Sequence, residues 1–67
     1  MIKVSDLKPG VKIAYEVYGI ADKKTVTVGV TSNKRLTFFD EDGNNYDDDS
    51  KTFVSNVNFH KGIIVQQ

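Results

Sequence analysis

The strict alternation from Thr25 to Thr31 limits the fold more than any other feature of the chain. Val26, Val28 and Val30 fall on one side and Thr25, Thr27, Gly29 and Thr31 on the other. That is the two-residue period of a half-buried strand, and it cannot line one stripe of a helix. The same period recurs from Val11 to Tyr18, where Val11, Ile13, Tyr15 and Val17 share a face and Lys12, Ala14, Glu16 and Tyr18 share the other. In Arg35 to Asp40 it sets Leu36 and Phe38 inward and Arg35, Thr37 and Phe39 outward. No window of about ten residues carries the i, i+3, i+4 apolar spacing of an amphipathic helix. The expected class is all-β.

Turn chemistry orders these strands. Ser5-Asp6-Leu7 suits one helical turn capped by Ser5, and Pro9-Gly10 suits a type II turn, proline presetting the first φ and glycine supplying the positive second one. Gly19 to Lys24 reverses the chain. At Ser32-Asn33-Lys34 the register decides the loop length. A two-residue turn would oppose Val30 to Thr37, whereas a three-residue loop pairs Val30 with Leu36 and Val28 with Phe38. Asp42-Gly43 is a further turn, and Asn44 to Ser50 reads as an exposed polar loop. Lys51 to Phe59 reads as a fourth strand with Phe53, Val57 and Phe59 on one face and a bulge near Ser55. Gly62 opens the last strand, whose Ile63-Ile64-Val65 is apolar on both sides. The expected core is Val11, Ile13, Tyr15, Val17, Val26, Val28, Val30, Leu36, Phe38, Phe53, Val57, Phe59 and Val65. Five strands joined by short loops give a five-stranded antiparallel meander curled into a small barrel.

With 67 residues there is room for one domain, 1–67, which buries only about 60% of its unfolded surface. The chain has no cysteine and a single histidine, His60. Disulfides, thiolate chemistry, haem attachment and a closed zinc site are thereby excluded, and neither metal nor cofactor is expected. Apolar runs reach only three residues, too short for a membrane span or a signal peptide, so a soluble protein of cytoplasmic type is expected. The chain starts at Met1 and stops just after its last strand, and so reads as an entire small gene product.

The opening Leu7-Lys8-Pro9-Gly10-Val11-Lys12-Ile13, the mid-strand Gly29, the Asp-Gly turn and five short strands together resemble an SH3-like small barrel of the Tudor or KOW sort, over most of the chain. The resemblance implies a binding module without chemistry of its own, whose relatives bind peptides, methylated side chains, RNA or DNA. With no tryptophan and no four-sided aromatic arrangement, methyl-lysine and proline-rich ligands are not expected.

Catalytic motifs are missing. Gly10, Gly19, Gly29, Gly43 and Gly62 are too dispersed to cradle a phosphate. Ser50 or Ser55 with His60 and an aspartate could only nominally form a triad, since no strand-to-helix elbow presents a nucleophile. His60 reads as a turn residue, and the chain is not expected to be an enzyme. The acidic run Asp40-Glu41-Asp42-Gly43-Asn44-Asn45-Tyr46-Asp47-Asp48-Asp49 invites a calcium reading. If Gly43 took the sixth position of an EF-hand loop, however, Phe38 would fall at the first ligand position. A solvated loop that blunts an edge strand, an acidic docking surface and a looser calcium loop are the readings that compete for it.

Neutral net charge conceals a segregated distribution. Met1 to Arg35 carries Lys3, Lys8, Lys12, Lys23, Lys24, Lys34 and Arg35 against Asp6, Glu16 and Asp22; from Leu36 onward Lys51 and Lys61 face six acids. Such a dipolar chain suits charged partners or self-association. On the outward face, Lys12, Thr31 and Arg35 are expected in one row, Glu16, Thr27 and Phe39 in another, and the small residues Ala14, Gly29 and Thr37 between them. The favoured function is a stand-alone accessory module that docks on a larger protein and modulates it, of a size and Lys/Asn/Asp-rich style resembling small phage or mobile-element proteins. Its expected contact residues are Tyr18, Phe39, Tyr46, Lys12, Lys34 and Arg35, aromatic anchors set among cations. The alternative is a nucleic-acid-binding small barrel using Lys12, Lys34, Arg35 and Phe39. A homodimer paired along the edge of the final strand is a further expectation from the small core.

Overall fold

A computed structural model describes residues 1–16, 23–46 and 48–67. A 3₁₀ turn at Val4–Asp6 leads into β1 (Lys12–Glu16), β2 (Lys23–Val30), β3 (Leu36–Asp40), the two-residue β4 (Asn45–Tyr46), α1 (Ser50–Phe59) and β5 (Ile63–Gln66). The strands form one antiparallel sheet in the order β4-β3-β2-β1-β5. The first four make a meander, and β5 returns to lie beside β1. The sheet is not closed into a barrel, so β4 and β5 are both edges.

Each expected turn that falls within the described residues forms. Gly10 has φ +95° and the Val11 N–H donates to the Lys8 carbonyl at 3.0 Å, the signature of the type II turn. Val30 pairs with Leu36 and Val28 with Phe38, and Lys34 takes φ +62°. A residue in the left-handed region is what closes a three-residue hairpin loop. The Val4–Asp6 turn is capped by Asp6 and not by Ser5: the Asp6 carboxylate accepts from the Lys3 N–H at 2.9 Å.

Lys51 to Phe59 departs from expectation, because it lies in α1. The chain is mostly β with one short helix. Asp49 caps the helix, its Oδ1 accepting from the Thr52 N–H at 2.7 Å, which satisfies one of the four free N–H groups of the first turn. The C-terminal end closes as a Schellman motif: the Gly62 N–H donates to the Val57 carbonyl, the Lys61 N–H to that of Asn58, and Lys61 takes φ +58°. Gly62 passes so close over the helix end that a Cβ there would stand 2.7 Å from the Val57 carbonyl oxygen. Glycine is required by proximity.

The helix lies against one face of the sheet, hereafter the inner face. Phe53 stacks on Phe38 with centroids 3.9 Å apart and planes within 3°, and the pair sits among Ile2, Leu7, Val11, Ile13, Val26, Val28 and Val57. Tyr15, Leu36, Tyr46, Val54 and Ile64 pack around this core. Ile2 is held there by Asn58, whose side chain both accepts from the Ile2 N–H (3.0 Å) and donates to its carbonyl (2.9 Å). Three expected core residues are exposed: Phe59 at 83%, Val30 and Val65 at 52% each. Phe59 fits a two-residue period with Val57, but on a helix two residues turn the chain about 200° and swing its ring away from the sheet. Val17, also expected in the core, lies outside the described residues.

Candidate functional site

The register of β1 decides what the outer face presents. Lys12 pairs with Thr27 and Ala14 with Thr25, four residues along β2 from the alignment that would put Lys12 beside Thr31. The cause is the Pro9-Gly10 turn. The Gly10 N–H donates to the Val28 carbonyl and the Val28 N–H to that of Val11, pinning the start of β1 at Val28. A slip of four preserves which residues face out, so alternation could not reveal it. The expected rows are thereby replaced. Lys12, Thr27 and Phe39 now lie across the sheet in one row, Gly29 pairs with Thr37, and Thr31 bonds to Arg35 at the hairpin end. Ala14 and Gly29 do not share a row, and Lys12 does not share one with Arg35.

Phe39 sits on Gly29. A Cβ at position 29 would come within 2.9 Å of the Phe39 ring and 3.2 Å of the Thr37 methyl, so the missing side chain makes room for the ring on the sheet surface. Lys12 donates from Nζ to Thr27 Oγ1 at 3.1 Å, two strand spacings, about 10 Å, from Phe39. Arg35 follows the same backbone alternation about 13 Å along β3. It also lines a groove of about 480 Å³ along the open side of β3, with Thr31, Leu36, Thr37, Tyr46, Asp48, Asp49 and Ser50. Lys34 stands at the hairpin tip. Lys12, Phe39, Lys34 and Arg35 therefore share the outer face or its end.

Tyr46 does not join them. Its pairing with Phe38 turns it to the inner face, where its hydroxyl donates to Asp40 Oδ2 at 3.2 Å and lies 3.1 Å from the Tyr15 hydroxyl, which must then donate to it. Tyr18 lies outside the described residues. Asp40, the first residue of the acidic run, is not solvated: it is 6% exposed. Its carboxylate accepts from the Asp42 and Asn44 N–H groups, the Asn44 amide and Tyr46, with Lys24 Nζ at 3.7 Å. Burial alone would raise the Asp40 pKa; the donors from Asn44, Tyr46 and Asp42 outweigh it and hold the group below its ordinary value. Burial is likewise the first cause that raises Tyr15, with the Tyr46 hydrogen bond second, and burial also raises Tyr46, beside Asp40. The signal for this network was in the sequence, since Asp-x-Asp-Gly-Asn is the pattern of an aspartate that bonds the backbone N–H groups of its own turn.

Below that network Tyr15, Tyr46, Asp48, Phe53, Asn56, Val57 and His60 line a cleft of about 310 Å³ between helix and sheet. The His60 ring lies 6.3 Å from that of Tyr15 and 5.1 Å, edge-on, from that of Phe59, and its carbonyl accepts from the Glu16 N–H at 2.9 Å. His60 thus occupies the helix C-cap and joins α1 to the end of β1. Among the described residues no group of three or more His, Asp or Glu side chains is placed to hold a metal ion, and no helix is long and apolar enough to cross a membrane. No family model matches the chain, and neither a curated protein nor a solved structure matches it.

Proposed function

We propose that the chain is a protein-binding accessory module that docks on a larger protein through the outer face of its sheet. The observation that carries the reading is Phe39, a half-buried aromatic seated on a glycine in the middle of a face that neither α1 nor the Val4–Asp6 turn covers. Aromatic rings held rigidly among smaller side chains and flanked by cations are the usual anchors of protein interfaces. Lys12 lies in the same row as Phe39, with Arg35 and Lys34 toward the hairpin tip. The same gathering favours a second reading, a nucleic-acid surface in which Phe39 stacks on a base and the three cations follow the backbone.

Capture of partners from the source cell with and without nuclease, repeated with Phe39→Ala and Lys34→Ala, separates the two. For protein docking a nuclease-resistant partner is retained at about 0.3 M salt, where exposed charges are largely screened, and Phe39→Ala loses it more completely than Lys34→Ala. Recovery of nuclease-sensitive material only, with binding that falls linearly in a log-log plot against salt, transfers the function to nucleic acid.

A further inference from the structure

The cleft between α1 and the sheet lies on the side of the sheet away from Phe39, and its polar lining is one-sided. At about 310 Å³ it stands at the small end of ligand sites, with room for a molecule of a few heavy atoms. Buried Phe53 and Val57 supply its apolar part, and Tyr15, Tyr46, His60 and Asp48 line it with them. Asp40 sets the direction of the phenolic protons. Its carboxylate accepts the Tyr46 proton, so the Tyr46 oxygen accepts from Tyr15 and the Tyr15 proton is committed in turn. Toward the cleft the Tyr15 oxygen is left with lone pairs alone. Asp48 adds a carboxylate to the lining, while the Lys24 ammonium is balanced by Asp40 at 3.7 Å, so the charge left over is negative. The last turn of α1, which ends at the His60 C-cap, brings the negative end of the helix dipole to the same place.

We propose that this cleft binds a primary ammonium group on a short aliphatic stem, the ammonium donating to the Tyr15 oxygen and the Asp48 carboxylate while the stem lies against Phe53 and Val57. The lining selects both the sign of the ligand and its N–H bonds. A carboxylate or a phosphate would meet Asp48 and a phenolic oxygen with no proton to give. A quaternary ammonium would match the charge but leave both acceptors without a donor. An ammonium carries three donors that diverge from one nitrogen, which suits acceptors supplied by two separate elements, β1 and the segment leading into α1.

Titration of the purified, isotopically labelled chain with n-butylammonium chloride, read in its amide spectra, tests this without any macromolecular partner, so its outcome is independent of the outer-face docking. Saturable shifts centred on the amides of Tyr15, Tyr46, Phe53, Val57 and His60 are expected, with Kd on the order of 5 mM. Butyrate, a similar stem with the opposite charge, and tetramethylammonium, the same charge without N–H bonds, are each expected to bind at least about tenfold more weakly. Asp48→Asn and, separately, Tyr15→Phe, each confirmed folded by circular dichroism, are expected to weaken n-butylammonium binding by at least about fivefold. A Gly-Lys-Gly peptide blocked at both ends distinguishes the sources of the ammonium: binding at least about tenfold tighter than n-butylammonium places it on a lysine of a partner chain, and weaker binding than that places it on a free amine. The proposal is overturned by the absence of saturable shifts at the cleft up to about 50 mM, by equal binding of butyrate or tetramethylammonium, or by a folded Asp48→Asn or Tyr15→Phe variant that binds as wild type does.

Discussion

Phe38 and Phe39 are neighbours with opposite fates. Phe38 is fully buried and stacked on Phe53, whereas Phe39 lies on the open face over Gly29. One step along a strand moves a side chain from the layer that holds the protein together to the layer free to meet something else. The inner face is finished: its core is apolar, and no described buried side-chain polar atom lacks a partner. Among the described residues the outer face carries threonines, a few charges and the Phe39 ring. Stability and binding should therefore respond to different halves of the same dipeptide.

Truncating the inner ring gives the largest effect. Phe38→Ala or Phe53→Ala empties half of the stacked pair and is expected to cost about 3–5 kcal/mol. A domain this small has little more than that in total, so the variant should be largely unfolded by circular dichroism at room temperature. Phe39→Ala should cost about 1 kcal/mol in urea titrations and leave a cooperative transition, because its ring is only half-buried. Equal losses at the two positions would dissolve the distinction between faces.

The glycines repeat the contrast on a smaller scale. Gly62→Ala must push its Cβ against the backbone carbonyl of Val57, which cannot move without opening the Schellman motif, and is expected to cost about 2–3 kcal/mol. Gly29→Ala meets the edge of the Phe39 ring and the Thr37 methyl. The ring can swing toward solvent, so a cost near 1 kcal/mol is expected in thermal melts, with partner binding reduced by displacement of the anchor.

These positions also show what could be read from the sequence. The outward and inward sets of β1 to β3, the type II turn and the three-residue hairpin loop were legible because period-two alternation and glycine or proline geometry act locally. The helix was not, because Phe53 and Val57 are four residues apart, a spacing that satisfies both a strand and a helix face. Phe59 then completed a false strand pattern. Asp49 ahead of the segment and Gly62 behind it are a cap and a stop that mark the helix, and they outweigh an ambiguous pair of apolar residues. The candidate site was half legible. Lys12, Phe39 and Arg35 read as outward and Lys34 as a loop residue beside them, but their relative placement depends on the β1–β2 register, which the hydrogen bonds of Gly10 and Val11 with Val28 set. Tyr46 was misplaced because a two-residue strand has no pattern to read.

Acid should weaken the inner face first. Hydrogen bonds from Thr52 hold the Asp49 carboxylate below its ordinary value, and the donors around Asp40 do the same there against the opposing effect of burial. A carboxylate depressed in the folded state stabilises the fold above its unfolded pKa, and that contribution is lost as pH falls through the folded value. Stability should thus decline from the ordinary 3.8 downward, and Asp40→Asn should flatten the decline in pH-dependent urea midpoints. At the alkaline end the sign reverses. Tyr15 and Tyr46 have raised pKa values, so their contribution is complete below the ordinary 10.0 and is lost as pH rises above it. Ultraviolet titration should show both phenols ionising late, together with unfolding.

Two lysines in the left-handed region give the smallest and most selective comparison. Lys61 at φ +58° ends the helix and Lys34 at φ +62° closes the outer hairpin. A non-glycine residue is strained there, so Lys→Gly should relieve part of that strain at either site and stabilise the protein by about 0.5–1 kcal/mol despite the added freedom of the unfolded chain. Lys61 also faces Glu16 at 3.9 Å, but the lysine is 81% exposed and the pair contributes only a few tenths of a kcal/mol, too little to reverse the sign. The melting temperatures of Lys61→Gly and Lys34→Gly should therefore rise together. Binding should separate them: Lys61→Gly leaves outer-face docking unchanged, whereas Lys34→Gly removes a cation at the hairpin tip and slows association in a salt-dependent way. A strained lysine that is stabilised by replacement and yet needed for binding has been kept for its charge, and equal binding by the two variants would show that the hairpin tip lies outside the interface.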